Sequence, residues 1–236
     1  MKGTNYILEK QVCWAKRNYI SLVGSQITKG KPAYTKTLNE NLFKPILPQV
    51  EEEIRIGDGG ELRSNVAHSA KMCAIHSSSA IGVNVFQYWI GKNVSNISYA
   101  LELCAKNNNS AKEIHFERKF KINSNFQFSP NIDVVIINED TSKIKAYGIE
   151  CKFSEAYSQR NHSGLNEKYI TEIKEQWKGI PNLFKLAKKI SPDDNRFHYL
   201  HSAQLLKHIL GLKKKYGIGG FRLLYLWYDV PGEEGC

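Results

Sequence analysis

The sequence predicts an α/β fold in which one mixed sheet is flanked by helices. Segments 113–122, 131–138 and 144–153 follow one another as strands. Helical spacing then takes over between residues 169 and 215, and a last apolar run, 221–230, is free to return to the sheet. A strand that arrives after the helices joins the earlier three with helices on both faces, unlike a repeated βαβ array.

Each element has its own signal. Residues 6–23 carry helical spacing in Tyr6, Ile7, Val12, Trp14 and Ala15, and Gly30-Lys31-Pro32 closes the stretch. Residues 42–50, with Pro45 and Pro48, read as an irregular wrapping segment, and Glu51-Glu52-Glu53 as a solvated acidic face. Residues 1–66 are therefore expected to be an N-terminal extension, open to a recognition or dimerisation role, and 67–236 the main domain. Residues 83–106 read as two helical pieces, one with Val83, Phe86 and Ile90 as its stripe, the other with Ile97, Leu101 and Cys104. In 113–122 Ile114, Phe116, Arg118 and Phe120 alternate with His115, Glu117 and Lys119, the period of a strand. Tyr169, Ile170, Ile173 and Trp177 predict a helix, Leu183, Phe184, Ala187 and Ile190 a second one beyond Pro181. Residues 199–215 predict a third, stopped by Gly217. The continuous apolar run 221–230 predicts a buried strand.

Composition narrows the function. The chain has 236 residues, 42% of them hydrophobic and 24% charged, which excludes disorder, collagen and coiled coil. Lys and Arg number 33 against 23 Asp and Glu, a net charge of +10 that favours a polyanionic partner such as nucleic acid or an anionic membrane surface, with solubility alone as the plain alternative. Cys13, Cys73, Cys104, Cys151 and Cys236 lie tens of residues apart with no C-x-x-C pair, so a zinc site or a disulfide framework is not expected and a reducing cytoplasm is. The first ten residues hold Lys2, Glu9 and Lys10 rather than an apolar leader. The uncharged stretch 72–91 contains His76, three serines, Asn84 and Gln87, so no membrane span is expected there. There is no G-x-x-x-x-G-K-[ST] phosphate loop and no nucleophile elbow.

The chemistry sits on the two middle strands. If Asp140, Thr141, Ser142 and Lys143 form a four-residue hairpin loop, Glu139 faces Ile144, Ile137 faces Ala146, Val135 faces Gly148 and Asp133 faces Glu150. Lys152 shares the face of Glu150. Two carboxylates opposite each other in strands otherwise built for burial repel and need a partner. A divalent cation satisfies both, and an all-oxygen set completed by water suits magnesium or manganese. A plain ion pair of Lys152 with Glu150 or Asp133 is the alternative. His198, His201 and His208 lack acids or cysteines in register and are expected on solvated helix faces.

Pro130-Asn131-Ile132-Asp133, a hairpin, then Glu150-Cys151-Lys152 resembles the PD-(D/E)XK nuclease superfamily, whose restriction-endonuclease-like core runs helix, three strands, helix, strand. Residues 83–230 fit that order. Pro130 and Asp133 are separated by Asn131 and Ile132, a departure from the adjacent pair. Glu150 to Glu155 further resembles the E-x-K-F-[ST]-E signature of one group of restriction endonucleases. Ser77-Ser78-Ser79 with Asn84-Val85-Phe86, and Gln204 to His208, resemble its first core helix and a late helix carrying a glutamine. The resemblance implies a magnesium-dependent (or manganese-dependent) DNA endonuclease. Asp133 and Glu150 would hold the metal, and Lys152 would position the attacking water and stabilise the transition state. Glu117 is the candidate additional ligand, with Glu102 as its rival. Gln204 would hydrogen-bond Lys152 or a phosphate, and Glu155 would fix a loop. Arg160, Asn161 and His162, just downstream of Lys152, are candidates for DNA contact together with lysines 168–189 and 207–215 of the helices. The expected enzyme is type II-like: a homodimer acting on double-stranded DNA in the cytoplasm, with a cognate DNA methyltransferase as a further partner. A repair or recombination nuclease of the same fold and a non-catalytic DNA-binding protein are the alternatives.

Overall fold

The computed structural model describes residues 3–26, 29–57, 60–159 and 163–232. In chain order the elements are α1 (Gly3–Arg17), α2 (Leu38–Asn41), α3 (Pro48–Ile56), α4 (Ser78–Phe86) and α5 (Val94–Ala100). Then come β1 (Ala111–Lys119), β2 (Asn131–Asn138), β3 (Ala146–Lys152), α6 (Lys168–Thr171), α7 (Pro181–Lys189), α8 (Ser202–Tyr216) and β4 (Phe221–Trp227). The sheet order is β1-β2-β3-β4, with the first three strands antiparallel and β4 parallel to β3. This is the mixed sheet flanked by helices that the sequence predicts, with the restriction-endonuclease-like order of helix, three strands, helices, strand.

One apolar cluster covers one face of the sheet. Val134, Ile136, Tyr147 and Ile149 pack there with Val83 and Phe86 of α4 and with Val50 and Ile54 of α3. The opposite face packs Val135 and Ala146 against Leu212 of α8. Helix α8 lies so close that a Cβ on Gly211 would sit 2.7 Å from Phe120 Cβ, which leaves only glycine at that contact. A further cluster ties Tyr169, Ile173 and Trp177 to Leu206 and Leu210 of α8. Among the described residues, Cys13, Cys73, Cys104 and Cys151 are free thiols. No helix of the described residues is long and apolar enough to cross a membrane.

Several expectations need correcting. Pro48 opens a helix instead of prolonging an irregular segment, because its missing N–H costs nothing at the first helical position. Glu53 is not on a solvated face: its Oε2 accepts from Phe116 N–H and its Oε1 lies 2.7 Å from His115 Nδ1, so α3 is bonded to β1. The helix expected through Tyr169 and Trp177 is split into α6 and a 3-10 turn, Lys174–Trp177. The Trp177 indole N–H reaches back to Tyr169 O at 2.8 Å across the break. The run 221–230 is not a buried strand. β4 is the edge of the sheet, ends at Trp227, and its side chains are half-buried or exposed; the central strands β2 and β3 are the ones covered on both faces. The hairpin between β2 and β3 is longer than four residues, yet the register is unchanged, with Ile137 opposite Ala146 and Val135 opposite Gly148.

Candidate active site

The cleft lies where the β2–β3 ladder comes apart. Pairing runs from Ile137–Ala146 to Val134–Ile149 and goes no further. Beyond it, Cys151 N–H donates to the side chain of Asp133, at Oδ2, 2.7 Å away. β1 is irregular at the same level. Glu117 has φ +49°, and neither Glu117 nor Asp133 takes part in the β1–β2 register, although Phe116–Val134 and Arg118–Ile132 on either side do. Strict alternation places Phe116 and Phe120 on one face. Instead Phe116 joins the cluster under α4 and Phe120 the cluster under α8. The strand switches faces at Glu117, and a left-handed conformation at a residue with a Cβ is a strained way to do it. Gly57 at the end of α3 leaves the room: a Cβ there would come 3.0 Å from Glu117 Cβ.

Asp133, Glu150, Lys152, Glu117 and Gln204 all line a cavity of about 480 Å³ at this end of the sheet. Glu150 is fully buried. Lys152 Nζ donates to its Oε1 at 2.7 Å, and His208 Nε2 of α8 approaches its Oε2 at 3.0 Å without the alignment of a hydrogen bond. Burial works to raise the Glu150 carboxyl, but His208 and Lys152 outweigh it and hold it below the usual carboxylate range. Asp133 goes the other way: burial, and then the charge of Glu150, push it well above its ordinary value. Burial acts to lower Lys152, yet Glu150 and Asp133 raise it overall, so it stays an ammonium. Glu117, whose Oε2 accepts from Asn131 Nδ2 at 3.3 Å, is pushed up to about 7 by burial and by the neighbouring charge of Glu61.

The remaining expectations divide. Glu155 fixes a loop: its Oε2 accepts from Phe153 N–H and its Oε1 from Ser78 Oγ, both at 3.0 Å. Gln204 is half-buried in the cleft, but among the described residues its amide makes no hydrogen bond to Lys152. Glu102 is exposed and lines no part of the cleft, so of the two candidates Glu117 is the one that stands in it. Arg160, Asn161 and His162 lie outside the described residues. Lys213 and Lys214 are tied back to the fold, donating to Gln176 O and Ile122 O. Lys178 pairs with Glu175.

Two cleft residues, His208 and Glu61, escaped the sequence reading, and Lys207, expected only among the DNA-contacting lysines, stands in the cleft itself. His208 is 1% exposed rather than on a solvated face. Lys207 lines the cleft and is lowered by burial and then by Lys168. Gln204, Lys207 and His208 stand at i, i+3 and i+4, so helical spacing from the glutamine could have found both. Glu61 enters from the N-terminal region, and nothing in its local sequence signals that.

No three carboxylate, histidine or cysteine side chains among the described residues converge closely enough to hold a metal ion as they stand. The donor chemistry nevertheless fits a hard divalent cation. Glu150 Oε2 is buried without an aligned hydrogen bond, and Asp133 has engaged only one oxygen.

A half-open sheet with acids and a lysine at its splayed end, capped by helices on both faces, has the architecture of a restriction-endonuclease-like core. The family model for "restriction endonuclease associating with ARP" matches residues 10–228, and the chain belongs to that family. It is thus a protein of the nuclease class with DNA as its substrate. No curated protein and no solved structure matches the chain.

Proposed function

We propose that the chain is a magnesium-dependent, type II-like restriction endonuclease that hydrolyses phosphodiester bonds in double-stranded DNA. The observation that carries this reading is the meeting of Asp133, Glu150 and Lys152 in one open cavity, in a chain of this family. Asp133 and Glu150 would hold the cation, with Glu117 as a further oxygen donor, and manganese is an alternative occupant. The cation supplies Lewis-acid polarisation of a phosphoryl oxygen and a lower pKa for water.

The chain's own residues do the rest. Lys152 brings a fixed positive charge to where negative charge builds on the phosphoryl oxygens, and its bond to Glu150 keeps it oriented. Lys207, on the adjoining wall, offers a second cation for the backbone phosphate. The Gln204 amide, with no partner of its own among the described residues, is placed to donate to a phosphate oxygen. Water is the nucleophile, and the products carry a 5′-phosphate and a 3′-hydroxyl. Two copies, related by a two-fold axis, would cut the two strands of a palindrome. A methyltransferase protecting host DNA, a cytoplasmic location and an association with the ARP of the family's description complete the proposal.

The purified chain, incubated with magnesium chloride and mixed-sequence DNA, is expected to yield discrete fragments. Chelation should abolish the cutting, and Lys152→Ala should slow it by about a thousandfold, the scale of a lost electrostatic group. Intact DNA with either metal, or a Lys152→Ala chain as active as the native one, overturns the proposal.

A further inference from the structure

The cleft is not closed at Glu61. That residue also lines a second hollow of about 510 Å³ bounded by Arg55, Arg63 and Asn65. Arg55 and Asn65 in turn border a third, of about 530 Å³, which reaches Lys36 and His68. Neighbouring hollows thus share wall residues, Glu61 between the first and second and Arg55, Leu62, Ser64 and Asn65 between the second and third, so the three succeed one another as a trough would. The turn at residues 63–68 lends Arg63, Ser64, Asn65 and His68 to these walls, and every residue of the turn is exposed.

Exposure does not leave this turn loose. Asn65 N–H donates to His68 O at 3.0 Å, and Asn65 Oδ1 accepts from the N–H groups of Ala67 and His68 at 2.8 and 2.9 Å. Arg63 N–H is tied to Gly60 O, and Ser69 N–H to Ser25 O. A pinned turn thus holds out Arg63, which has no acidic partner among the described residues, whereas Arg55 beneath it is paired with Glu51 and Glu52. At the tip Val66 is 98% exposed, an isopropyl group held fully in water. A rigid projection carrying a free guanidinium and an apolar tip has the two chemistries that read a DNA groove. The guanidinium forks onto guanine O6 and N7, and an apolar group meets the thymine methyl.

We propose that the trough carries the duplex beyond the scissile phosphate and that the turn at 63–68 enters the major groove, with Arg63 and Val66 as specificity-determining contacts. The inference rests on the nuclease reading above and assigns where sequence is read. A solvated turn that happens to border the cleft needs no pinned Arg63 or bare Val66; a protein-docking turn would use them without regard to DNA sequence.

The test is cleavage of a mixed-sequence duplex library by the full chain with magnesium, with fragment ends sequenced for the native chain, Arg63→Ala and Val66→Ser. Both substitutions are on the surface and leave the core intact. Arg63→Ala should relax the preference at one base pair about tenfold to a hundredfold, as expected for a lost bidentate contact. Val66→Ser should weaken a thymine preference at a neighbouring position. If both variants cut with the native base preference, the inference is overturned and the nuclease reading stands. A uniform loss of rate with preference unchanged also overturns it, since that marks a phosphate contact alone. Absence of cutting by the native chain removes the nuclease reading and the inference together.

Discussion

The two halves of the β2–β3 pair are built from the same strands and have opposite characters. From Val134 to Ile137, against Ala146 to Ile149, the ladder is continuous and the apolar side chains pack into the cores on either face. One step further the ladder parts, a carboxylate replaces a backbone acceptor, and Glu117 leaves the usual β conformation. Buried charge of this kind is expensive and adds little to folding. The apolar half is sufficient to define the sheet. The charged half is held open by it, at a cost that only a bound ligand would relieve.

Removing His208 probes the charged half most severely. His208→Ala takes away the group beside Glu150 Oε2 and leaves a buried carboxylate oxygen facing a void. The expected loss is about 3–5 kcal/mol, read as a lowered urea midpoint in the metal-free chain. A loss under about 1 kcal/mol would mean that water already serves that oxygen, and the contrast between the halves would weaken.

The contrast also explains what could be read from sequence. β-Branched residues marked the strand 131–138, and counting back from an assumed four-residue loop set the register that brings Asp133 near Glu150; the loop is longer, but the register holds because a one-residue slip would turn the apolar set outward. Alternation misled at Phe120, where the positive φ of Glu117 switches faces, and period alone carries no sign of that. An apolar run looks alike on an edge and in a centre, so β4 read as buried. Glu61 reaches the cleft only through tertiary packing, and His208 was legible only once Gln204 had fixed which face of α8 meets the site.

The apolar half is tested by Ile149→Ala. Ile149 is fully buried in the cluster beneath α4, and its truncation leaves a cavity between sheet and helix. A destabilisation of about 3–4 kcal/mol is expected, with the cleavage rate per folded molecule at the native level because the acids one step away are untouched. If Ile149→Ala instead lowered that rate as much as the Lys152 variant, the halves would be mechanically coupled rather than divided at the end of the ladder.

The finest test is the pH dependence introduced by Glu117. Its carboxyl ordinarily titrates near 4.5 and is pushed up to about 7 in the fold, by burial first and by Glu61 second. Between those values the folded chain keeps a proton that the unfolded chain has released, so rising pH favours unfolding. The penalty is absent below about 4.5, grows through this window and is complete above about 7. Glu117→Gln has no such proton to lose. In chelator, the variant should match the native chain at the acid end and exceed it at pH 8 by no more than about 3 kcal/mol, the free energy equivalent of the shift. Parallel stability curves for the two chains across pH 5–8 would show that Glu117 is already solvated, and the strained turn at β1 would then owe nothing to charge.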